Sequence, residues 1–291
     1  MNNELERGLS RLHLPIGRRL STFIQYLCLA ILAIPFVFPF WWMISSSFKS
    51  YAEIFTFPPT LLPQVWDFQN YSQAFTFQPF AQQYFNSVYI AVLVTVGVMF
   101  VSTLSGYAFA RIPFPGKSFF FMLLLSSVMM PAEVTIIPNY MFMKTLGVLD
   151  THIPLIIIPI LGPSSIVATF IARQFFLSLP SELEDAAMID GLGRWGIYTK
   201  IVLPIARPCL APIAILTFLS SWNSFIEPLV YLSTNSKFTL PLALRGYTDM
   251  FGVPLWGVQM AATTLATLPV LIVFILAQQQ VVESFAQSGI K

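Results

Sequence analysis

Residues 84–109 read YFNSVYIAVLVTVGVMFVSTLSGYAF, a stretch without a single Lys, Arg, Asp or Glu. A helix crosses the hydrocarbon core of a bilayer in about 20 apolar residues, so this stretch alone is long enough to span one. It lies within an uncharged gap from Asp67 to Arg111, and similar gaps separate Arg19 from Lys49, Asp150 from Arg173 and Asp249 from Glu283. Two further apolar runs, 118–137 and 209–232, carry one acid each, Glu133 and Glu227. The reading is an all-α membrane protein with six transmembrane helices, at about 20–44, 84–109, 118–137, 153–176, 209–232 and 258–281.

Composition agrees. Charged residues make up 10 % of the 291-residue chain and hydrophobic residues 56 %, against roughly a quarter charged in an ordinary soluble domain. Mean hydropathy is +0.73. A soluble fold of this composition would expose apolar patches that soluble monomers avoid, which excludes a cytosolic globular enzyme. The net charge of +2 comes with no basic stripe, so nucleic acid is not an expected partner. Cys28 and Cys209 lie in apolar runs without metal-like spacing and read as packing residues. His13 and His152 are far apart with no third ligand, so no metal site is expected. No Ser/His/Asp or Cys/His arrangement and no hydrolytic carboxylate pair occurs, and no catalytic residue is assigned.

The first run is too long for a signal peptide, is interrupted by Pro35 and Pro39, and lacks a small-residue cleavage site. It reads as a retained helix. Lys and Arg set the orientation, because positively charged loops tend to stay cytoplasmic. With both termini inside, Arg7, Arg11, Arg18, Arg19, Arg111, Lys117, Arg173, Arg194, Lys200, Arg207 and Lys291 are cytoplasmic, and only Lys49, Lys144, Lys237 and Arg245 are outside. The chain then divides into a cytoplasmic segment 1–19, a transmembrane domain 20–281 and a cytoplasmic tail 282–291. Outside lie an aromatic, Pro-rich loop at 45–83 and a second loop at 233–257. Inside, 111–117 is a tight connector, whereas 177–208 is a long polar insert.

That insert opens with Pro180-Ser181-Glu182-Leu183-Glu184-Asp185-Ala186-Ala187-Met188-Ile189-Asp190-Gly191. Ser181 is placed to cap a helix, acids fill its first turn and Gly191 can end it. Leu183, Ala186, Ala187 and Ile189 give the helix one apolar side. A groove on a soluble partner could bury that side, and so could the membrane surface, although the acids would then face anionic lipid.

Asp185-Ala186-Ala187, then Gly191, then Ile201-Val202-Leu203-Pro204 resembles the EAA loop of ABC importer permeases in residue type and spacing. Nearly the full chain is similar to the second permease subunit of carbohydrate importers of the maltose, trehalose and glycerol-3-phosphate group. Supporting stretches are Ser45-Ser46-Ser47-Phe48-Lys49, Gly106-Tyr107-Ala108-Phe109-Ala110-Arg111, Ser221-Trp222-Asn223 and the ending Gly289-Ile290-Lys291. Asp185 departs from the pattern, which usually has Glu there.

The resemblance implies a type I ABC importer permease in a bacterial or archaeal plasma membrane. Loop 177–208 would carry the coupling helix, docked on a separate ATPase subunit. Ala186 and Ala187 would allow close approach, Glu184 and Asp185 would pair with basic groups on the ATPase, and Gly191 would permit a sharp exit. The implied partners are a second permease subunit, two ATPase subunits holding ATP and Mg, and an extracytoplasmic solute-binding protein that delivers a sugar or polyol. Phe238, Arg245, Tyr247 and Trp256 in loop 233–257 would meet that protein.

Two motifs are decoys. Gly191-Leu192-Gly193-Arg194-Trp195-Gly196 spells a dinucleotide fingerprint, but that motif works only between a strand and a helix. Gly116-Lys117-Ser118 ends like a P-loop whose first glycine position holds Arg111. No cofactor is therefore expected on this chain.

Glu133 and Glu227 fall inside spans, where a charge costs several kcal/mol unless it faces a polar cavity or partner. A sugar site combines an apolar face with amides or carboxylates for hydroxyls, so Trp222, Asn223, Glu227 and Glu133 are the pathway candidates. Met129 and Met130 read as packing. The other functions open to such a chain are a secondary transporter coupled to protons through Glu133 and Glu227, and a membrane scaffold that moves nothing.

Overall fold

The structure is a computed structural model that describes residues 15–288. His13, Arg7, Arg11 and the ending Gly289-Ile290-Lys291 lie outside the described residues. Among the described residues there is no strand beyond one isolated bridge, Thr248 to Pro254.

Helix α1 (Pro15–Ser46) runs straight through Pro35 and Pro39 and leads to a short α2 (Tyr51–Ile54) and α3 (Gln69–Phe77). Helix α4 (Phe80–Arg111) follows and stops where Pro113 forbids a helical residue before it. Beyond Gly116, α5 (Lys117–Val128) and α6 (Ala132–Thr145) meet at a 99° bend. Helices α7 (Ile153–Leu161) and α8 (Pro163–Ser178) are separated by Gly162. Pro163 opens α8, a position where its missing N–H costs nothing.

Helix α9 (Glu182–Ile189) and α10 (Arg194–Ile197) come next. They are followed by a π turn (Tyr198–Val202) and α11 (Leu203–Ile205). A 78° corner at Ala206 then leads into α12 (Arg207–Trp222). Helices α13 (Ile226–Tyr231), α14 (Leu240–Leu244) and α15 (Trp256–Ser288) complete the order.

Among the described residues, four segments are long and apolar enough to cross a membrane: Ser21–Ser46, Phe80–Arg111, Ile153–Ser178 and Trp256–Leu276. The number rises to six if each bent pair is one span. Two expected spans differ in shape from the sequence reading. The run 118–137 is not one helix, because Pro131 ends the α5 direction before Glu133. The run 209–232 is broken at Asn223–Phe225, just ahead of Pro228, so its last turns form the separate α13.

Helix α4 is the axis, packed against α7, α8 and α12. Its approach to α8 depends on Gly106, where a Cβ would lie 2.8 Å from the Ala172 Cβ and 3.0 Å from the Arg173 backbone nitrogen. One core cluster joins Ile90, Val94, Val98, Tyr107, Ala172, Phe176 and Ile213 across these helices. A second joins α3, the start of α4, α12, α14 and α15 through Ala74, Phe80, Trp222, Leu240 and Ala262, with Tyr247 between α14 and α15. Helix α1 rests on α15 and turns its apolar length away from the rest of the chain. At the end of α1, Lys49 is buried: its ammonium donates to the Thr60 carbonyl and lies 4.4 Å from the Trp42 ring centroid. Burial lowers its pKa, and nearby Glu53 partly opposes that shift.

Candidate functional site

Two sites emerge, a loop at one end of the bundle and a cavity between the broken helices. At the loop, Ser181 precedes α9 without a side-chain cap bond, contrary to the expected cap; its carbonyl accepts from the Glu184 and Asp185 N–H groups at 2.9 and 3.1 Å. Three acids still occupy the first turn, where the helix dipole favours negative charge. The exit is a complete Schellman motif. Gly191 at φ 83 donates to the Met188 carbonyl, and Leu192 donates to the Ala187 carbonyl, both at 3.0 Å. The glycines of the apparent fingerprint thus close one helix and open the next, and no strand precedes them.

Helix α9 has two distinct sides. Ala187 and Glu184 are buried, whereas Asp185, Ala186 and Ile189 are exposed, Ile189 to 86 %. Trp195 extends the exposed face at 61 %. Glu184 is therefore not free for a partner's basic groups, which corrects the sequence expectation. Its carboxylate pairs with Arg111 Nε at 3.1 Å and with Arg194 Nη1 at 3.6 Å. It also accepts from the Tyr107 hydroxyl at 3.3 Å. The physical reason is helical spacing: Glu184 and Ala187 are three residues apart and share the inward side. Of the two neighbouring acids, only Asp185 points outward.

The cavity measures about 520 Å³, within the range of small-molecule sites. It forms where helices stop. The break before α6 supplies Glu133, the body of α6 supplies Asn139 beside Pro138, the break before α8 supplies Ser164, and the break after α12 supplies Asn223, Ser224, Phe225 and Glu227. Ser220, Thr217, Tyr231 and Thr239 add hydroxyls. Broken backbone at membrane depth is tolerated where it is buried in protein or lines a cavity. The post-α12 turn is built by local bonds. Asn223 Nδ2 donates to the Leu219 carbonyl at 2.8 Å, and Ser224 Oγ donates to Glu227 Oε2 at 2.7 Å.

Three of the four pathway candidates, Glu133, Asn223 and Glu227, converge on this cavity, but Trp222 does not. Trp222 is 3 % exposed, stacked on Phe218 at 5.7 Å and set edge-on to Tyr84 at 5.9 Å. It sits on the packed side of α12, and the aromatic surfaces of the cavity are Phe225 and Tyr231 instead. Asn139, Ser164 and Ser220 were missed. Asn139 and Ser164 each directly follow a proline, Pro138 and Pro163, which is their signal in the sequence; Ser220 has no Pro or Gly beside it.

The opposite end is held by Asp150, a non-glycine residue at φ 53. Its carboxylate accepts from the Thr234 hydroxyl and the Ser233 and Thr234 N–H groups, and pairs with Lys237 at 3.0 Å. These bonds, the Thr234 hydroxyl foremost, hold its pKa well below the ordinary carboxylate range. In loop 233–257, Tyr247 is buried and donates to the Ala74 carbonyl at 2.8 Å; burial raises its pKa. Phe238 packs on the core, and Trp256 lies 6.0 Å from Phe55. Of the expected contact set Phe238, Arg245, Tyr247 and Trp256, buried Tyr247 is out of reach, Phe238 and Trp256 are half-buried, and Arg245 is exposed along with Met250 and Phe251 at the loop tip, 90 % and 84 % exposed.

The profile of the binding-protein-dependent transport system inner membrane component family matches residues 102–286, which include both the loop and most of the cavity lining. The chain belongs to that family. This permease is 36 % identical over 265 residues to the arabinooligosaccharides transport system permease protein of Halalkalibacterium halodurans, covering 90 % of this chain and 94 % of the relative. It is 32 % identical to the inner membrane ABC transporter permease protein YcjP of Escherichia coli, over 94 % of this chain and 98 % of that one. It is 35 % identical to the sn-glycerol-3-phosphate transport system permease protein of Yersinia enterocolitica, over 81 % and 85 % respectively.

The solved structure of a bacterial ABC transporter that imports the acidic polysaccharide alginate matches with a TM-score of 0.75 at 23 % identity, over 90 % of this chain and 97 % of that chain. The two chains share one fold. The permease is a multi-pass inner membrane component of a binding-protein-dependent transport system, and neither a proton-coupled carrier nor an inert scaffold describes that family.

Proposed function

We propose that the permease forms half of the translocation pathway for a sugar or related polyol, with a second permease supplying the other half. The observation that carries this reading is the cavity: hydroxyls, amides and two carboxylates beside Phe225 and Tyr231 suit a solute rich in hydroxyl groups with an apolar ring face. The relatives named for arabinooligosaccharides and glycerol-3-phosphate support the same class. Both termini are cytoplasmic, so α9 faces the cytoplasm, and the Asp150 end with the Arg245, Met250 and Phe251 tip faces outward to a solute-binding protein.

Two separate ATPase subunits bind ATP and Mg and receive the exposed side of α9. Ala186 allows close approach, Ile189 and Trp195 fill an apolar cleft, and Asp185 pairs with a basic group. ATP-driven closure draws the loop inward and opens the helices outward, and hydrolysis resets them. Purification of the tagged permease from its native membrane tests the assembly. The expected result is co-purification of a different permease and an ATPase, with a carbohydrate released on denaturation. A permease recovered alone, with no ATPase, contradicts it.

A further inference from the structure

We infer that Glu184, Arg111 and Tyr107 form a mechanical joint that passes displacement of α9 to the helices lining the cavity. This rests on the ATP-driven reading above. A helix of eight residues moves its neighbours only if it is fastened to them, and the backbone of α9 packs chiefly on α10 and the π turn. The fastening to α4 runs through side chains. Arg111, on the last turn of α4, faces Glu184 in an ion pair at 3.1 Å from Nε, a contact made by charge without hydrogen-bond geometry, while Nη2 donates to the Phe176 carbonyl at 2.7 Å and to the Leu179 carbonyl, at the end of α8.

One guanidinium thus ties α4, α8 and α9 together. It neutralises a buried acid and satisfies carbonyls left open at a helix end. Tyr107, one turn earlier on α4, adds its hydroxyl to the same carboxylate. Its ring lies 5.4 Å from Tyr198 in the π turn and 6.2 Å from Phe176 of α8. Further along α4, Ile90 and Val94 line the cavity, as Ser164 does at the other end of α8. Both helices fastened by Arg111 therefore line the cavity, α4 along its middle and α8 at its first turn. Glu184, Arg111 and Tyr107 are positioning residues, remote from any solute.

The joint predicts a loss of transmission with assembly intact. Hydrogen exchange is followed in the complete transporter, permease with its partner permease and ATPases, with and without ATP, Mg and vanadate. In the wild type, exchange changes both in α9 and in the cavity-lining peptides of α4 and α8. In Glu184→Gln, which keeps side-chain volume, the response of α9 persists while that of the cavity peptides falls about tenfold. Tyr107→Phe deletes one hydroxyl without disturbing packing, gives a smaller loss of the same kind, and decides the matter should Glu184→Gln fail to assemble.

Cavity peptides that respond in both variants as in the wild type overturn the joint and leave the transport reading standing. A wild-type transporter whose α9 does not respond to ATP overturns the transport reading and the joint with it.

Discussion

Gly191 leaves α9 at φ 83 with nothing within 4 Å of a built Cβ, so its substitutions are governed by backbone strain alone. Proline is locked near φ −65° and cannot adopt this exit. Gly191→Pro should abolish ATP-linked uptake while membrane insertion, followed by fractionation, is unchanged; Gly191→Asn, which tolerates the left-handed region, should keep most of the activity. At the cavity, Trp222→Ala should cost about 3–5 kcal/mol of stability yet leave the KM for uptake by the surviving protein unchanged. Asn223→Ala should do the reverse, raising KM about tenfold through loss of a polar contact.

Asp150 carries a pH prediction. Its folded pKa is depressed, so its contribution is fully present above the unfolded carboxylate value and is lost only as pH falls through the lower folded one. Proteolysis around 233–237 should be flat from about pH 7 to about pH 5, both above the ordinary carboxylate value. Asp150→Asn keeps the left-handed backbone and should raise cleavage about twofold, as befits an exposed ion pair. At this scale the sequence was only partly legible. It singled out Glu133, Asn223 and Glu227 as polar groups within apolar spans, but residue type does not say which side of α12 Trp222 occupies, nor which of Glu184 and Asp185 turns inward. The helical spacing that buries Glu184 with Ala187 was present in the sequence, and so were the basic partners Arg111 and Arg194.

Among elements, the uncharged gaps announced α1, α4, α7–α8 and α15, because a bilayer penalises charge strongly enough to leave a pattern visible in composition alone. The bends were less legible. Pro131, Gly162-Pro163 and Pro228 mark where helices can stop, but the direction each chain takes afterwards is set by what it packs against, which a single sequence does not print. One such contact is α4 on α8 at Gly106. Gly106→Val inserts side-chain atoms where even a Cβ meets Ala172 at 2.8 Å. It should cost about 1–3 kcal/mol by overpacking, seen as a lower unfolding midpoint in detergent. An unchanged midpoint would show that the two helices do not approach this closely.

The whole molecule combines a polar cavity at its helix breaks with a small, firmly bonded helix at one end whose outer side is left open. A solute path and a place to receive force are separate in the chain yet joined through α4 and α8. The central claim is that work done on the loop moves a solute through the cavity. It is tested most directly by uptake of tritiated arabinotriose, lactose and glycerol-3-phosphate into proteoliposomes containing the complete transporter and its solute-binding protein, with ATP inside and the proton gradient collapsed. ATP-dependent accumulation of at least one solute should survive collapse of the gradient and disappear in Gly191→Pro. Accumulation that follows the gradient and ignores ATP would contradict the claim.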